Sequence, residues 1–178
     1  MPSSPRVVVT DANILINLMH VGQLELLGTL PAFTFVVPEH VVAEITDPGQ
    51  RQHLAAALAR GELRQESISD LRELAIYSEL RRLTGQGEAA CLALAEARGW
   101  IVASDEKRRF RREVQARLGT GRLVTTAGLF VLAIRAGTLS VEQADQAKAT
   151  WEQHRFRLPF GSFRELLEEH GSDVTDWP

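Results

Sequence analysis

Four carboxylates mark where this sequence could do chemistry. Asp11 follows the apolar run RVVVT, Glu44 lies in VPEHVVAE, Glu88 in GQGEAACLALA, and Asp105 follows WIVAS. Acids without an adjacent basic partner are unfavourable to bring together unless a positive charge sits among them. A hard divalent cation with oxygen ligands is the usual solution. These residue types therefore point to metal-dependent chemistry on phosphate, with a nuclease as the leading reading.

The elements that must position them follow from periodicity and punctuation. β-branched or apolar runs at 6–10, 33–37, WIVAS and 123–125 predict four strands. Helical spacing of apolar residues predicts helices at 12–20, in LELLGTL, in PEHVVAEI with Pro38 in its first turn, and at about 50–60. DPG at 47–49 stops the PEHVVAEI helix, Ser69 caps DLRELAIYSELRRLT, and Gly85 and Gly87 break that pattern before the Glu88 helix, which Gly99 ends. A basic helix then runs to Leu118, AGLFVLAIRAG forms an apolar one, Ser140 caps another, and PFGSFRELLEEHG supplies the last. Strands alternating with helices predict an α/β fold, a three-layer α/β/α arrangement around a central parallel sheet of four to five strands. In such sheets ligands bind beyond the carboxyl ends of the strands. Asp11 and Asp105 are the first residues past two such ends.

Glu44 shares a helix face with Val41, and Glu88 shares one with Cys91, Leu92 and Ala95, so both glutamates are predicted to point inward. An inward anion needs a cation, a donor cluster or a proton. The plain alternatives are that Asp11 and Asp105 cap the helices after them, that Glu44 is a surface residue, and that Glu88 is a first-turn acid. Each is credible for one residue. Four such coincidences at matching ends of one sheet are not.

The chain has 178 residues with 20 Lys and Arg against 23 Asp and Glu, a net charge of −3 that argues against a generally basic nucleic-acid coat. The charge is uneven, however: Lys107, Arg108, Arg109, Arg111, Arg112, Arg117 and Arg122 follow Asp105 closely. Beside a candidate metal ligand, such a block is suited to phosphates. Lys107, Arg108, Arg111 and Arg112 are the expected nucleic-acid contacts. Arg108 shares a face with Arg111 or Arg112, and the rest should be solvated or paired with acids such as Glu113. The single cysteine, Cys91, lies among core residues and fits a reducing cytoplasm. No apolar run reaches the roughly 18 residues of a membrane span, and the N-terminus lacks a signal-peptide pattern. A cytoplasmic protein without membrane attachment is expected, organised as one domain over 1–178 with a core at about 6–136 and a helical extension at about 138–171. Trp100, Phe33, Phe35 and Phe130 are read as core, and the five histidines lack zinc-ligand spacing. No phosphate-binding glycine loop occurs.

The four acidic segments together resemble the motifs of PIN-domain proteins, small metal-dependent ribonucleases that include VapC-type toxins. VVTDANILINL resembles the opening motif, VPEHVVAEI the second, GQGEAACLALA the third and VASDEKRRF the fourth. GQLELLGTLPAFTFVVPEHVVAEI is similar to a prokaryotic PIN-like branch. Ser104 departs from relatives that carry a second acid at its place, which bears on how tightly a second ion is held. The resemblance implies that Asp11, Glu44, Glu88 and Asp105 hold one or two Mg²⁺ or Mn²⁺ ions for hydrolysis of RNA phosphodiesters. It gives Thr10, Asn13 and Ser104 an orienting role around those carboxylates. It also implies an RNA substrate and an antitoxin protein as a partner in a toxin–antitoxin pair, while the apolar helices at 12–30 and 126–136 leave a homodimer open as an assembly.

Two rivals stand beside this reading. A Mg²⁺-dependent phosphatase could use a strand-end aspartate as nucleophile, but such enzymes usually carry a second acid two residues on, where this chain has Asn13. A catalytically inactive interaction module of the same fold would retain the acids without turnover.

Overall fold

The computed structural model describes residues 4–106 and 108–170, with backbone only for His170. Lys107 and residues 171–178 fall outside the described residues. Five strands form one parallel sheet: β1 (Arg6–Thr10), β2 (Phe33–Pro38), β3 (Arg64–Glu66), β4 (Ile101–Ala103) and β5 (Leu123–Val124), in the order β3-β2-β1-β4-β5. The central strand β1 pairs Val8 with Phe35 on one side and with Ile101 on the other. From β1 the chain adds β2 and β3 outward in one direction, then returns to add β4 and β5 in the other. The crevice where that direction reverses, between the carboxyl ends of β1 and β4, is where open α/β sheets bind ligands.

β3 is the strand that periodicity missed. Its three residues, RQE, carry no apolar signal because an edge strand needs only its backbone to pair with β2. Its Glu66 is held by Arg98, which also binds the buried Glu73.

Nine α-helices lie among the described residues: α1 (Ala12–His20), α2 (Glu39–Glu44), α3 (Pro48–Arg60), α4 (Leu71–Leu80), α5 (Gln86–Arg98), α6 (Arg108–Leu118), α7 (Thr126–Arg135), α8 (Val141–Gln153) and α9 (Phe163–His170). They complete a three-layer α/β/α arrangement. LELLGTL forms a 3₁₀ helix over Leu24–Gly28 rather than an α-helical turn. α5 lies against β1, β2 and β4, while α1 meets α3, α7 and α8. Its alanines are what allow this: Ala89, Ala90, Ala93 and Ala95 are fully buried, and Cys91 beside them is a buried core thiol.

Several boundaries differ from expectation. Asp47 accepts a hydrogen bond from the Gln50 amide and Pro48 opens α3, so DPG starts a helix as well as ending one. Asp70, not Ser69, caps α4, in a reciprocal box with Glu73. Gly87 sits inside α5, and Gly85 alone is the boundary. Phe35 and Phe130 are core, whereas Trp100 is half-buried because the Arg98 guanidinium covers its ring at 4.8 Å. No helix among the described residues is long and apolar enough to cross a membrane.

Candidate functional site

Asp11 stands at the crevice. Its backbone N–H donates to the Ala103 carbonyl, which ties it to the end of β4. Its Oδ1 accepts from the Ala12 amide at 2.8 Å, so it does cap α1. Its Oδ2 accepts from the Ser104 hydroxyl at 3.1 Å and the Asn13 amide at 3.3 Å. The residue is only 3% exposed, and burial pushes its carboxyl up to about 7, against the pull of the Ala12 and Ser104 hydrogen bonds. The charges of Glu88 and Glu44 push the same way. Three of the four acids therefore share one electrostatic neighbourhood, and among the described residues no cation balances Asp11.

Glu44 and Glu88 reach that neighbourhood from α2 and α5. The expectation that both point inward needs correction: Glu44 is exposed and Glu88 half-buried. α2 ends at Glu44, so the face it shares with Val41 runs out at the rim of the sheet. The Glu44 Oε1 accepts from the Gly87 amide at 2.7 Å, joining the end of α2 to the first turn of α5. A Cβ at Gly87 would lie 2.5 Å from Glu44 Oε2, so this approach requires glycine. Glu88 Oε2 accepts from the Gly85 amide, and burial, then Glu106, then Glu44 raise its pKa, while Arg109 opposes them.

Asp105 is held differently. Its Oδ1 accepts from the Thr126 amide at 2.8 Å, and its Oδ2 from the Thr126 hydroxyl and from Asn17 Nδ2 at 2.9 Å. Burial raises its pKa despite these donors. The residue beside it, Glu106, is the acid that acts on Glu88, and its Oε1 lies 3.4 Å from the Asn13 amide. Among the described residues no three His, Cys, Asp or Glu side chains stand at the spacing of a ready-made ion cage. Like charges separate in the absence of a cation, and these carboxylates ring the crevice rather than converging on a point.

Asn13 and Ser104 have the geometry of orienting residues. Asn13 touches Asp11 and Glu106 with its amide nitrogen and accepts from the Asp105 backbone N–H at 3.1 Å. Ser104 donates to Asp11 and accepts from the Glu106 amide. Thr10 does not share this geometry: its buried hydroxyl donates to the Val36 carbonyl at 2.7 Å, which locks β1 to β2.

The basic helix divides by face. Arg108 and Arg111 line a hollow beside Asp105 and Glu106, while Arg109 lines another with Glu88 and Glu106. Arg112 is exposed and borders neither. Glu113 pairs with Arg117 one turn on, not with the arginines before it. Sequence reasoning missed Glu106, Asn17, Thr126 and Arg157, and it left Arg109, a member of the basic block, among the residues expected to be solvated or paired with acids. Asn17 was legible as the residue one turn after Asn13, and Glu106 as the acid beside Asp105. Arg157 enters the Arg108 hollow from far along the chain, and no spacing announces it.

Among curated proteins none matches the chain. Of the solved structures similar to it, one is a chain of VapBC2 from Rickettsia felis, in a complex bound to a DNA fragment from their promoter. It is 20% identical with a TM-score of 0.44, and the match covers 60% of this chain and 92% of that one. The model of the PIN domain family matches residues 7–172, which takes in the sheet, all four acids and the two C-terminal helices. The chain belongs to the PIN-domain family.

Proposed function

We propose that this protein is a divalent-metal-dependent endoribonuclease whose centre is the crevice between β1 and β4. The observation that carries the proposal is Asp11: a buried carboxylate, raised to about 7, with two further acids adding to its strain and no cation among the described residues to relieve it. PIN domains are generally nucleases, which agrees with this chemistry.

The residues present fit Mg²⁺ or Mn²⁺, because every donor is a carboxylate, amide or hydroxyl oxygen. Asp11, Glu44 and Glu88 would hold one or two such ions, with the Asp105–Glu106 pair completing the ring. When bound, such an ion supplies charge stabilisation at the phosphate and a more acidic water. Asp105, fixed by Thr126 and Asn17, is the most rigidly placed of the acids, and Glu106 beside it is the more available. Asn13 and Ser104 hold Asp11 by one oxygen and leave its orientation fixed before substrate arrives. Arg108, Arg109 and Arg111 present positive charge on either side of Glu106 for the RNA backbone. A toxin role with an antitoxin partner belongs to the same proposal through the motif resemblance, and cytoplasmic location and homodimer assembly are part of it through the lone cysteine and the apolar helices.

The test is cleavage of a mixed RNA pool as Mn²⁺ or Mg²⁺ is titrated into the protein, run beside Asp11→Asn and Glu88→Gln. Wild type should cut only with metal, and both variants should lose cleavage by orders of magnitude while remaining folded. A variant that cuts as well as wild type would assign the activity elsewhere.

A further inference from the structure

We infer that the hollow between the first turn of α6 and the 154–162 connection seats one nucleotide of a single-stranded RNA, with Arg157 of that connection as a phosphate-binding residue. The inference rests on the nuclease reading above and adds a subsite built by the C-terminal helices. The hollow has a volume of about 340 Å³, within the range of small-molecule sites. Arg108, Arg111 and Arg157 line it, Phe156, Leu158 and Pro159 supply apolar surface, and Asp105 and Glu106 close the end nearest the carboxylates.

The pairing of the arginines supports an anionic occupant. Arg117 is bound by Glu79, Glu96 and Glu113, Arg98 by Glu66 and Glu73, and Arg60 and Arg164 by one acid each. Arg108, Arg111 and Arg157 form no ion pair with a described residue, although they border one hollow. Asp105 and Glu106 at one end of the hollow and Glu152 near Arg157 offset part of this charge, but none of the three guanidiniums is held in a salt bridge with a described residue, and a phosphodiester would pair with them directly. The apolar wall beside them suits a ribose or an unstacked base, which a single strand offers and a duplex hides.

The connection is placed firmly enough to form such a wall. Arg155 adopts φ +63°, a left-handed turn rare outside glycine, and the Phe156 amide donates to the Trp151 carbonyl at 3.0 Å. The Phe156 ring meets Trp151 edge-on at 5.5 Å. Trp151 is fully buried, and its Nε1 donates to the Asn17 carbonyl at 2.8 Å. Asn17 in turn donates to Asp105. The proposed nucleotide wall and the carboxylate ring are thus joined through Trp151 and Asn17.

Full-chain protein should be tested by fluorescence anisotropy with a short labelled oligouridylate in EDTA, across a series of salt concentrations. Arg157 is exposed, so its variants should fold, which circular dichroism checks. Arg157→Ala should reduce the slope of log affinity against log salt by about 0.7, the contribution of one phosphate contact on a single strand. Arg157→Glu should weaken binding further, while Arg164→Ala, whose partner is Glu142, should match wild type. No oligouridylate binding by wild type, or equal slopes for wild type and Arg157→Ala, would overturn the subsite. So would oligoglutamate displacing the RNA at equal concentration, which would assign the hollow to an acidic peptide. Metal-dependent cleavage with Arg157 indifferent would remove the subsite and keep the nuclease. Arg157-dependent binding without any metal-dependent cleavage would do the reverse.

Discussion

Replacing Asp11 by Asn should make the metal-free protein more stable at alkaline pH and less stable at acid pH. Asp11 has its folded pKa raised from an ordinary 3.8 to about 7. A raised acid contributes in full below about pH 4 and loses that contribution as pH climbs through about 7. The gap between 3.8 and about 7 corresponds to a ceiling of roughly 4 kcal/mol at about 1.4 kcal/mol per pH unit. Asparagine removes the charge but presents an NH₂ where Oδ2 accepts from Ser104 and Asn13. The serine hydroxyl can turn to accept, whereas the Asn13 contact is lost at about 1 kcal/mol. The variant should therefore gain about 3 kcal/mol at pH 8, or roughly 6–12 °C in melting temperature for a chain of this size. At pH 4 it should instead lose about 1 kcal/mol. Saturating Mn²⁺ at a hundredfold excess over its Kd adds about 2.7 kcal/mol to wild type alone and nearly closes the gap at pH 8. Thermal melts of both proteins at pH 4 and pH 8, with EDTA or Mn²⁺, read all four corners. A variant less stable than wild type by the same amount at both pH values in EDTA would refute the argument that Asp11 is a strained anion.

Gly87→Ala should leave the fold intact, with a stability change within about 1 kcal/mol, because the clash falls on the flexible end of Glu44. It should nevertheless weaken Mn²⁺ binding in a calorimetric titration by breaking the Glu44–Gly87 hydrogen bond. Arg98→Ala strands Glu73, whose side chain is 1% exposed, and should cost about 3–5 kcal/mol in urea denaturation at pH 7. Arg98 holds the Glu73 carboxyl below its usual range, so wild type should lose this contribution as pH falls through the Glu73 folded pKa, and the variant should not. Trp151→Phe removes the Nε1 bond to Asn17 and leaves a void beside Phe130; a loss of about 2 kcal/mol or more is expected, and an unchanged melt would contradict the role given to that bond.

The parallel order of the sheet and the placement of Asp11 and Asp105 were legible because both depend on local signals. An apolar run ending in an acid marks a strand end, and alternation with helices dictates parallel pairing. β3 was not legible, since its pairing is made by backbone and its RQE side chains serve Arg98 and solvent. The inward direction of Glu44 failed for a related reason. Helical periodicity assigns a face, but α2 ends at Glu44 itself, so there is no further turn to cover it. What an acid does at the end of an element depends on which elements approach it, and that is a property of the topology.

Asp105 shows how far this reaches. In the sequence it is one of four equivalent acids, yet in the fold it differs from the others in kind. Its oxygens are engaged by Thr126 at the start of α7 and by Asn17 on α1, while Asn17 is itself held by Trp151 of α8. Each of those donors favours the ionised carboxylate and fixes its position, although burial outweighs them and raises its pKa. At Asp11 burial likewise outweighs the donors, and the charges of Glu88 and Glu44 add to it, leaving it at about 7, ready to exchange a proton for a cation. Glu106, one residue beyond Asp105, is aimed by the same anchoring toward Asn13 and opposes Glu88 across the crevice. If the ring holds an ion, Asp105 sets its boundary and Glu106 has the freedom to close on it. Glu106→Gln should then weaken Mn²⁺ binding with little change in the metal-free melt, whereas Asp105→Asn should lower the metal-free melt at pH 4, where the raised pKa of Asp105 brings no penalty, by turning an NH₂ toward the Thr126 and Asn17 donors, at about 1–3 kcal/mol for the unmatched group. Equal effects of the two substitutions on both readouts would show that the division of roles is wrong.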